Sequence, residues 1–113
     1  MPLVNARTDE TIASSVTLAV TRSDRRRGLL GRDGLDPSEA FVLSGCWAIH
    51  TMFMRFAIDV VFVDRDGRAM RLVHALPPWR MAAARGAHAT IELPAGSLQG
   101  RDVMVGDRLM ATV

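Results

Sequence analysis

The hydrophobic and polar residues of this chain alternate mainly with the short period of β-strands. The clearest segment is Ile58–Val63, which is rich in β-branched residues and apolar on both faces except at Asp59, as a central strand is. The pair Asp66-Gly67 follows it and favours the positive φ angles of a tight turn. We therefore predict that residues 69–75 return as a strand that pairs with Ile58–Val63.

The period changes once, near residue 21. Thr21-Arg22-Ser23-Asp24 has the form of a helix capping box and Gly31 is suited to close a helix, so one short helix is predicted over residues 22–30. Elsewhere, glycine and proline residues separate short segments of β type. Further strands are predicted over residues 3–6, 15–20, 89–93 and 108–113. The expected fold is a mostly β sandwich or barrel with the helix at its edge.

The length and composition are those of one ordinary globular domain. The chain has 113 residues, of which 49% are hydrophobic and 23% are charged, and these shares are close to the average for globular proteins. A chain of this length buries one hydrophobic core and has no room for a second domain. We expect a single domain over residues 1–113.

The basic residues of the chain are all arginine. The 14 basic residues give a formal net charge of only +2, so the basic character reflects the absence of lysine as much as an excess of charge. The densest basic run is diluted by Asp24 and Asp33, and it has no interleaved aromatic residue and no motif that reads DNA or RNA. We predict no nucleic-acid partner.

The single cysteine, Cys46, cannot form a disulfide within the chain. The first ten residues lack the apolar stretch of a signal peptide, and the apolar segment 41–63 contains charged side chains that would be costly in hydrocarbon. We therefore expect a cytoplasmic protein that does not insert into membranes. Because His50, His74 and His88 include no close pair, we predict neither a metal site nor a cofactor.

The most apolar segment also contains a dense group of hydrogen-bonding side chains: His50, Thr51, Arg55 and Asp59. One interpretation is a buried network in which Asp59 accepts hydrogen bonds from Arg55 or His50. The other is the floor of a pocket, where His50 and Arg55 bind an anionic or polar ligand and Asp59 orients one of them. The sequence leaves both interpretations open.

The two tryptophans differ in their setting. Trp47 precedes the polar group, and we expect its side chain to be buried in the core. Trp79 lies beside Arg80 in a proline-containing loop, which makes it the better candidate for stacking against a sugar ring or a peptide side chain. The seven methionines are expected to fill the core.

Two pairs of residues suggest catalysis. Cys46 and His50 are the residue types of a thiolate nucleophile and its base, but four residues of a strand span roughly 13 Å, so the side chains could not touch there. A buried, inert cysteine is the more common alternative. Asp59 and Glu92 could form a glycosidase pair, and their separation in space decides this.

Many ordered segments of the chain are similar to the signature of one protein family. They are Arg27-Gly28-Leu29-Leu30, Cys46, Ile49-His50-Thr51, Phe53-Met54-Arg55, residues 58–64, Asp66-Gly67, residues 76–80, residues 91–96 and Val105-Gly106-Asp107. From Thr21 onward the chain resembles the uncharacterised family called domain of unknown function 192. The resemblance implies a compact, mostly β fold of sandwich or jelly-roll type and implies no activity.

The chain also departs from this family's pattern. Many relatives carry a tryptophan-methionine-lysine-asparagine-threonine segment where this chain reads Ala48-Ile49-His50-Thr51-Met52-Phe53-Met54. A role for Cys46 or His50 would therefore belong to a subgroup of the family.

Three functions are compatible with the sequence. The first is a module that binds a small polar ligand or a peptide in a cleft between residues 50–59 and the loop of Trp79 and Arg80. The second is a small hydrolase in which His50 is the general base and Asp59 or Cys46 its partner. The third is a structural partner of an envelope or secretion apparatus, with a homodimer formed through a strand edge as its simplest form.

Overall fold

The structure is a computed structural model that describes residues 1–19 and 34–111. The helix predicted over residues 22–30 lies outside the described residues. Within them the fold is mostly β, as expected, and contains ten strands. These are β1 (Leu3–Asn5), β2 (Glu10–Ala13), β3 (Ser15–Ala19), β4 (Glu39–Ser44), β5 (Ala48–His50), β6 (Ile58–Val63), β7 (Ala69–Leu76), β8 (Met81–Ala83), β9 (Ala89–Pro94) and β10 (Leu109–Ala111).

The strands form three sheets. The largest has the order β3-β4-β9-β6-β7, in which only the β3–β4 pair is parallel. A second sheet has the order β10-β1-β2, and β5 pairs with β8 in a separate two-stranded ribbon. Strand β6 lies between β9 and β7 and is buried along its whole length, which confirms the prediction of a central strand.

The large sheet is the middle layer of the molecule, and each of its faces packs in its own core. One face carries Val61 and Ile91, which pack with Leu3 and Leu109 of the three-stranded sheet. Because successive side chains of a strand alternate between faces, Val60 and its neighbours form the opposite face and pack with residues of the β5–β8 ribbon. This double burial explains why β6 is apolar on both faces.

The predicted hairpin between β6 and β7 is confirmed. The strands pair antiparallel, and Gly67 in the turn has a φ angle of 81°. A Cβ atom at Gly67 would lie 2.8 Å from the carbonyl oxygen of Leu109, so glycine also permits β10 to approach the turn closely.

Four strands were not predicted from the sequence: β2, β4, β5 and β8. Strands β5 and β8 have three residues each, which is too short for a recognisable alternation. Strand β4 was missed although Asp36-Pro37 lies just before its start, because its apolar residues run into the long apolar segment without a clear alternation. Among the residues described, no helix is long and apolar enough to cross a membrane.

Candidate functional site

The ribbon formed by β5 and β8 carries part of the polar group predicted from the sequence. Its register places His50 opposite Met81 and Ile49 opposite Ala82. Ile49 and Ala82 are buried against the large sheet, so His50 and Met81 lie on the outer face of the ribbon, and both are exposed. The ribbon therefore has one face in the core and one face in solvent.

Hydrogen bonds of Thr51 connect the two turns at the end of this ribbon, the turn after β5 and the turn before β8. Its backbone N–H donates to the carbonyl of Arg80 over 2.8 Å, and its carbonyl accepts from the amide of Trp79 over 3.0 Å. Its hydroxyl accepts from the amide of Arg80 over 2.9 Å and donates to the carbonyl of Pro77 over 2.6 Å. Because Thr51 is fully buried, these bonds fix the turns to each other and leave no hydroxyl for a ligand.

The two turns hold an exposed pair of aromatic rings. The ring centroids of Phe53 and Trp79 are 4.6 Å apart with an interplanar angle of 57°, and the residues are 70% and 54% exposed. Both residues have a φ angle of 66°, which lies in the left-handed region that L residues rarely adopt. Strained backbone at exposed aromatic residues is typical of a functional surface.

We refer to the exposed residues at this end of the molecule as the ribbon-end surface. It consists of His50, Met52, Phe53, Trp79, Arg80 and Met81. The segments that build the ribbon and its turns, residues 46–56 and 77–87, contain no carboxylate. The surface therefore combines a large apolar contact area with cationic side chains.

Asp59 is not part of this surface, because it is fully buried. Its two oxygens accept hydrogen bonds from the amide of Ala75 over 2.8 Å and from the amide of Leu98 over 2.9 Å. Ala75 has a φ angle of 48° and lies where the β6–β7 register shifts, so Asp59 stabilises a β-bulge. The donors are thus backbone amides rather than Arg55 or His50, the donors that the network interpretation expects.

Glu92 is a buried carboxyl group on the face of the large sheet that the ribbon covers. It lies in register with Phe41 on one side and Val60 on the other, and it makes no hydrogen bond or ion pair with any described residue. Burial raises the pKa of Glu92 to about 7. Glu92 and Asp59 belong to adjacent strands, with Asp59 paired to Leu93, so their side chains point to opposite faces of the sheet.

The residues of the predicted catalytic pair do not meet. The thiol of Cys46 donates to the carbonyl of Ala48 over 2.9 Å, and His50 points to solvent. No hydrogen bond joins Cys46, His50 or Asp59 to another of the three. Arg55 and Arg80 are both exposed, and the described residues contain no group of three side chains placed to hold a metal ion.

The expectations for Trp47 and for the methionines were wrong. Trp47 is half exposed, and of the seven methionines only Met54 is buried. Sequence reasoning accordingly missed Phe53 and Met81 as surface residues, because apolar residues in an apolar segment are ordinarily assigned to the core. The exposed position of Trp79 was expected and is confirmed.

A partly open pocket lies elsewhere, between the two larger sheets, with a volume of about 200 Å³. Its lining includes Leu3, Val42 and Leu109 and contains only apolar side chains, none of them a candidate residue. Ligand sites ordinarily add a few polar groups that fix the orientation of the ligand. The ribbon-end surface supplies such groups and the pocket does not.

Comparisons with known proteins identify relatives over most of the chain. The model of domain of unknown function 192, described as "Uncharacterized ACR", matches residues 4–111. A UPF0127 protein of Pyrococcus furiosus is 40% identical over 63 residues, which are 55% of this chain and 53% of that relative, so the match spans about half the relative's length. A UPF0127 protein of Thermococcus sibiricus is 30% identical over 112 residues, covering 95% of this chain and 72% of that protein.

Two solved structures have the same fold. A crystal structure from Sinorhizobium meliloti, described as a "putative transcription regulator", superposes with a TM-score of 0.81 at 24% identity, covering 96% of this chain and 89% of that one. A protein of unknown function from Novosphingobium aromaticivorans superposes with a TM-score of 0.84 at 21% identity, covering 98% and 84%. At these identities the likeness concerns the fold alone.

Proposed function

This chain belongs to the uncharacterised family described as "Uncharacterized ACR", which has no assigned activity, and from the ribbon-end surface we propose that it is a module that binds acidic peptide segments. The observation that carries the proposal is the exposed ring pair of Phe53 and Trp79, held in left-handed backbone by the hydrogen bonds of Thr51. Aromatic side chains fixed in this way supply contact area at a low cost in conformational entropy.

The charges around the rings select the class of ligand. Arg80 and Arg85 are exposed in the turns of the ribbon, and the carboxylates that follow in sequence, Asp59 and Glu92, are buried. Such a surface attracts anionic partners and repels cationic ones. A peptide that combines acidic with apolar side chains matches both the charges and the rings.

A peptide is a better match than a reacting substrate. Catalysis by His50 requires a partner within hydrogen-bonding distance to orient it or to act as nucleophile. Cys46 is bonded to the carbonyl of Ala48, and Asp59 is sealed in the core by two amides. The arrangement of these side chains favours binding over the hydrolase alternative.

The proposal is tested with a fluorescent peptide in which glutamate alternates with leucine, measured by anisotropy. We expect Phe53→Gly and Trp79→Gly to weaken its binding by about tenfold or more, since each removes an anchor of the surface. Glycine is chosen because it adopts the left-handed conformation without strain, so that the turns are retained.

Met104→Ala is the matched control. Met104 is 53% exposed, close to the 54% of Trp79, but it lies in the turn that precedes β10. Its replacement should leave peptide binding unchanged. A peptide with lysine in place of glutamate should bind the unaltered protein more weakly by a factor of about ten or more. Equal binding of the two peptides, or full binding by Trp79→Gly, would refute the proposal.

A further inference from the structure

The hydrogen bonds of the ribbon define which edge of β5 is open. Ala84 donates from its amide to the carbonyl of Trp47 over 2.9 Å, and Thr51 donates to the carbonyl of Arg80 over 2.8 Å. In an antiparallel pair these bonded positions recur at every second residue. The backbone groups of residues 47, 49 and 51 therefore face β8, and those of Ala48 and His50 face the other way.

Among the described residues, the outer edge of β5 has backbone groups without a hydrogen-bond partner. No further strand pairs with β5 in the described part of the chain. The carbonyl of Ala48 accepts a hydrogen bond from the thiol of Cys46. The amide of Ala48 and both the amide and the carbonyl of His50 remain available to pair with another strand. Donors and acceptors at this spacing are what an added strand requires.

The outer edge of β8 is less accessible. It faces toward β7, and Arg71 donates from its guanidinium to the carbonyl of Ala83 over 2.6 Å. This contact occupies an acceptor that an added strand would use. Of the two edges of the ribbon, the edge of β5 is the one that can be extended.

We infer that the acidic peptide binds as an added strand, paired through its backbone to the outer edge of β5. This inference rests on the proposed function and specifies how the same surface is used. The amide and carbonyl of His50 pair with the peptide backbone, and the peptide extends past Thr51 toward Phe53 and Trp79. Backbone pairing supplies affinity and the alternating side chains supply specificity, as in other cases of strand addition.

The charge of the ribbon argues against a second copy of this chain as the partner. Pairing of two β5 edges would bring the exposed Arg80 and Arg85 of the ribbon's turns toward those of the second copy. Like charges brought together across paired strands destabilise the pairing, whereas the glutamates of an acidic peptide meet these arginines with the opposite charge. The acidic peptide is therefore the preferred occupant of this edge.

The test uses two N-methylated forms of the glutamate-leucine peptide and the intact protein. One form is methylated at the glutamate amides and the other at the leucine amides. Because alternate amides of a strand point to opposite edges, only one set can pair with β5. We expect one methylated peptide to bind more weakly than the parent peptide by a factor of about ten or more, and the other to bind like the parent peptide.

The outcomes separate this inference from the proposed function. If Trp79→Gly abolishes binding while both methylated peptides bind like the parent, the surface is the binding site but strand addition is wrong. Equal loss of affinity by both methylated peptides also overturns strand addition. If Trp79→Gly binds like the unaltered protein, the proposed function itself fails.

Two further measurements test other partners for this edge. Sedimentation should show a monomer at the concentrations used, and a dimer that the peptide dissociates would assign the β5 edge to a second copy and overturn the inference. A single-stranded oligonucleotide should not compete with the peptide, although arginines and exposed rings can bind single strands. If the oligonucleotide binds at a lower concentration than the peptide and displaces it, the preferred partner is nucleic acid and the inference is wrong.

Discussion

At the scale of single residues, the left-handed backbone of Phe53 and Trp79 is the feature with the clearest meaning. A left-handed conformation costs an L residue roughly 1 to 2 kcal/mol, and here it occurs at two exposed aromatic residues in contact. Neither residue prefers this conformation, so the turns are fixed from outside, by the hydrogen bonds of Thr51. The rings are thereby held in solvent instead of folding into the core.

Glu92 provides a prediction at the same scale. Burial raises its pKa from 4.5 to about 7, so between these pH values the folded protein retains a proton that the unfolded chain releases. The free energy of unfolding therefore falls as the pH rises through this window. At about 1.4 kcal/mol for each pKa unit, the decrease attributable to Glu92 is of the order of 3 kcal/mol by pH 8.

Glu92→Gln keeps the shape of the side chain and removes its ionisation. Urea unfolding at pH 5 and at pH 8 should show a smaller decrease in stability for this variant than for the unaltered protein, with the variant more stable at pH 8. Identical decreases would mean that Glu92 is accessible to water or paired in the folded protein.

A buried polar network was one of two interpretations of Asp59 from the sequence, and the donors expected for it were wrong. The amides of Ala75 and Leu98 come from a bulge in β7 and from the loop after β9. Backbone amides leave no trace in the residue types along the chain, so this interaction follows only from the folded geometry. His50 was proposed because a polar residue is conspicuous within an apolar segment, and Arg80 because it lies beside Trp79 in a proline-containing loop.

At the scale of elements, the turns after β5 and before β8 depend on one hydroxyl. Thr51→Val preserves the shape of the side chain but leaves the amide of Arg80 and the carbonyl of Pro77 without their partner. The expected loss is about 1 to 3 kcal/mol of unfolding free energy, together with weaker binding of the acidic peptide. Urea unfolding and peptide anisotropy measure the two effects.

Thr51→Ser is the control for this prediction, because it retains the hydroxyl and removes only a methyl group. It should keep the peptide affinity and lose less stability than Thr51→Val. If the two variants behave alike, packing of the methyl group, and not the hydrogen bonds, fixes the turns.

The elements themselves were predictable in proportion to their length and burial. The six residues of β6 show the two-sided apolar pattern of a central strand, and Asp66-Gly67 marks the hairpin that follows. The ribbon has no comparable signal. Each of its strands has three residues, and its position depends on packing of Ile49 and Ala82 against a sheet built from distant segments.

At the scale of the whole molecule, a network around Asp107 joins the first strand to the turn before the last. Its carboxylate accepts from the side chain of Asn5 over 2.9 Å, from Nε of Arg7 over 2.6 Å and from the amide of Met104 over 2.8 Å. The hydrogen bond from Arg7 is the main cause that lowers the pKa of Asp107 to about 2. This network links the two ends of the described chain.

The lowered pKa makes this link dependent on pH. Its contribution to stability is present above the ordinary pKa of 3.8 and is lost as the pH falls toward 2, where the folded protein takes up the proton. Asp107→Asn should therefore melt at a lower temperature than the unaltered protein at pH 6, and the difference should shrink at pH 2.

Asp102→Asn serves as the comparison for Asp107→Asn in thermal melting. Asp102 also forms an ion pair with Arg7, over 3.3 Å, but its side chain is exposed. Exposed ion pairs contribute little, so this variant should melt like the unaltered protein at both pH values. A constant difference between Asp107→Asn and the unaltered protein at pH 6 and pH 2 would contradict the pH dependence.

The layered arrangement was only partly predictable from the sequence. The length and composition indicated one domain, the short alternating segments indicated a mostly β fold, and the two-sided apolar pattern of β6 indicated a central strand. Which segments cover each face depends on pairings between distant residues, such as Leu3 with Ala111. A single sequence carries no direct record of these pairings.

The contact of Thr51 with Arg80 joins positions 29 residues apart in the chain. The two rings thus come from separate segments and become neighbours only when the ribbon is closed. A bound molecule that spans both rings would stabilise the ribbon, because it binds the closed ribbon and not the open one. The fraction of protein with bound peptide would then depend on how much of the ribbon is closed, and opening of the ribbon would release the peptide.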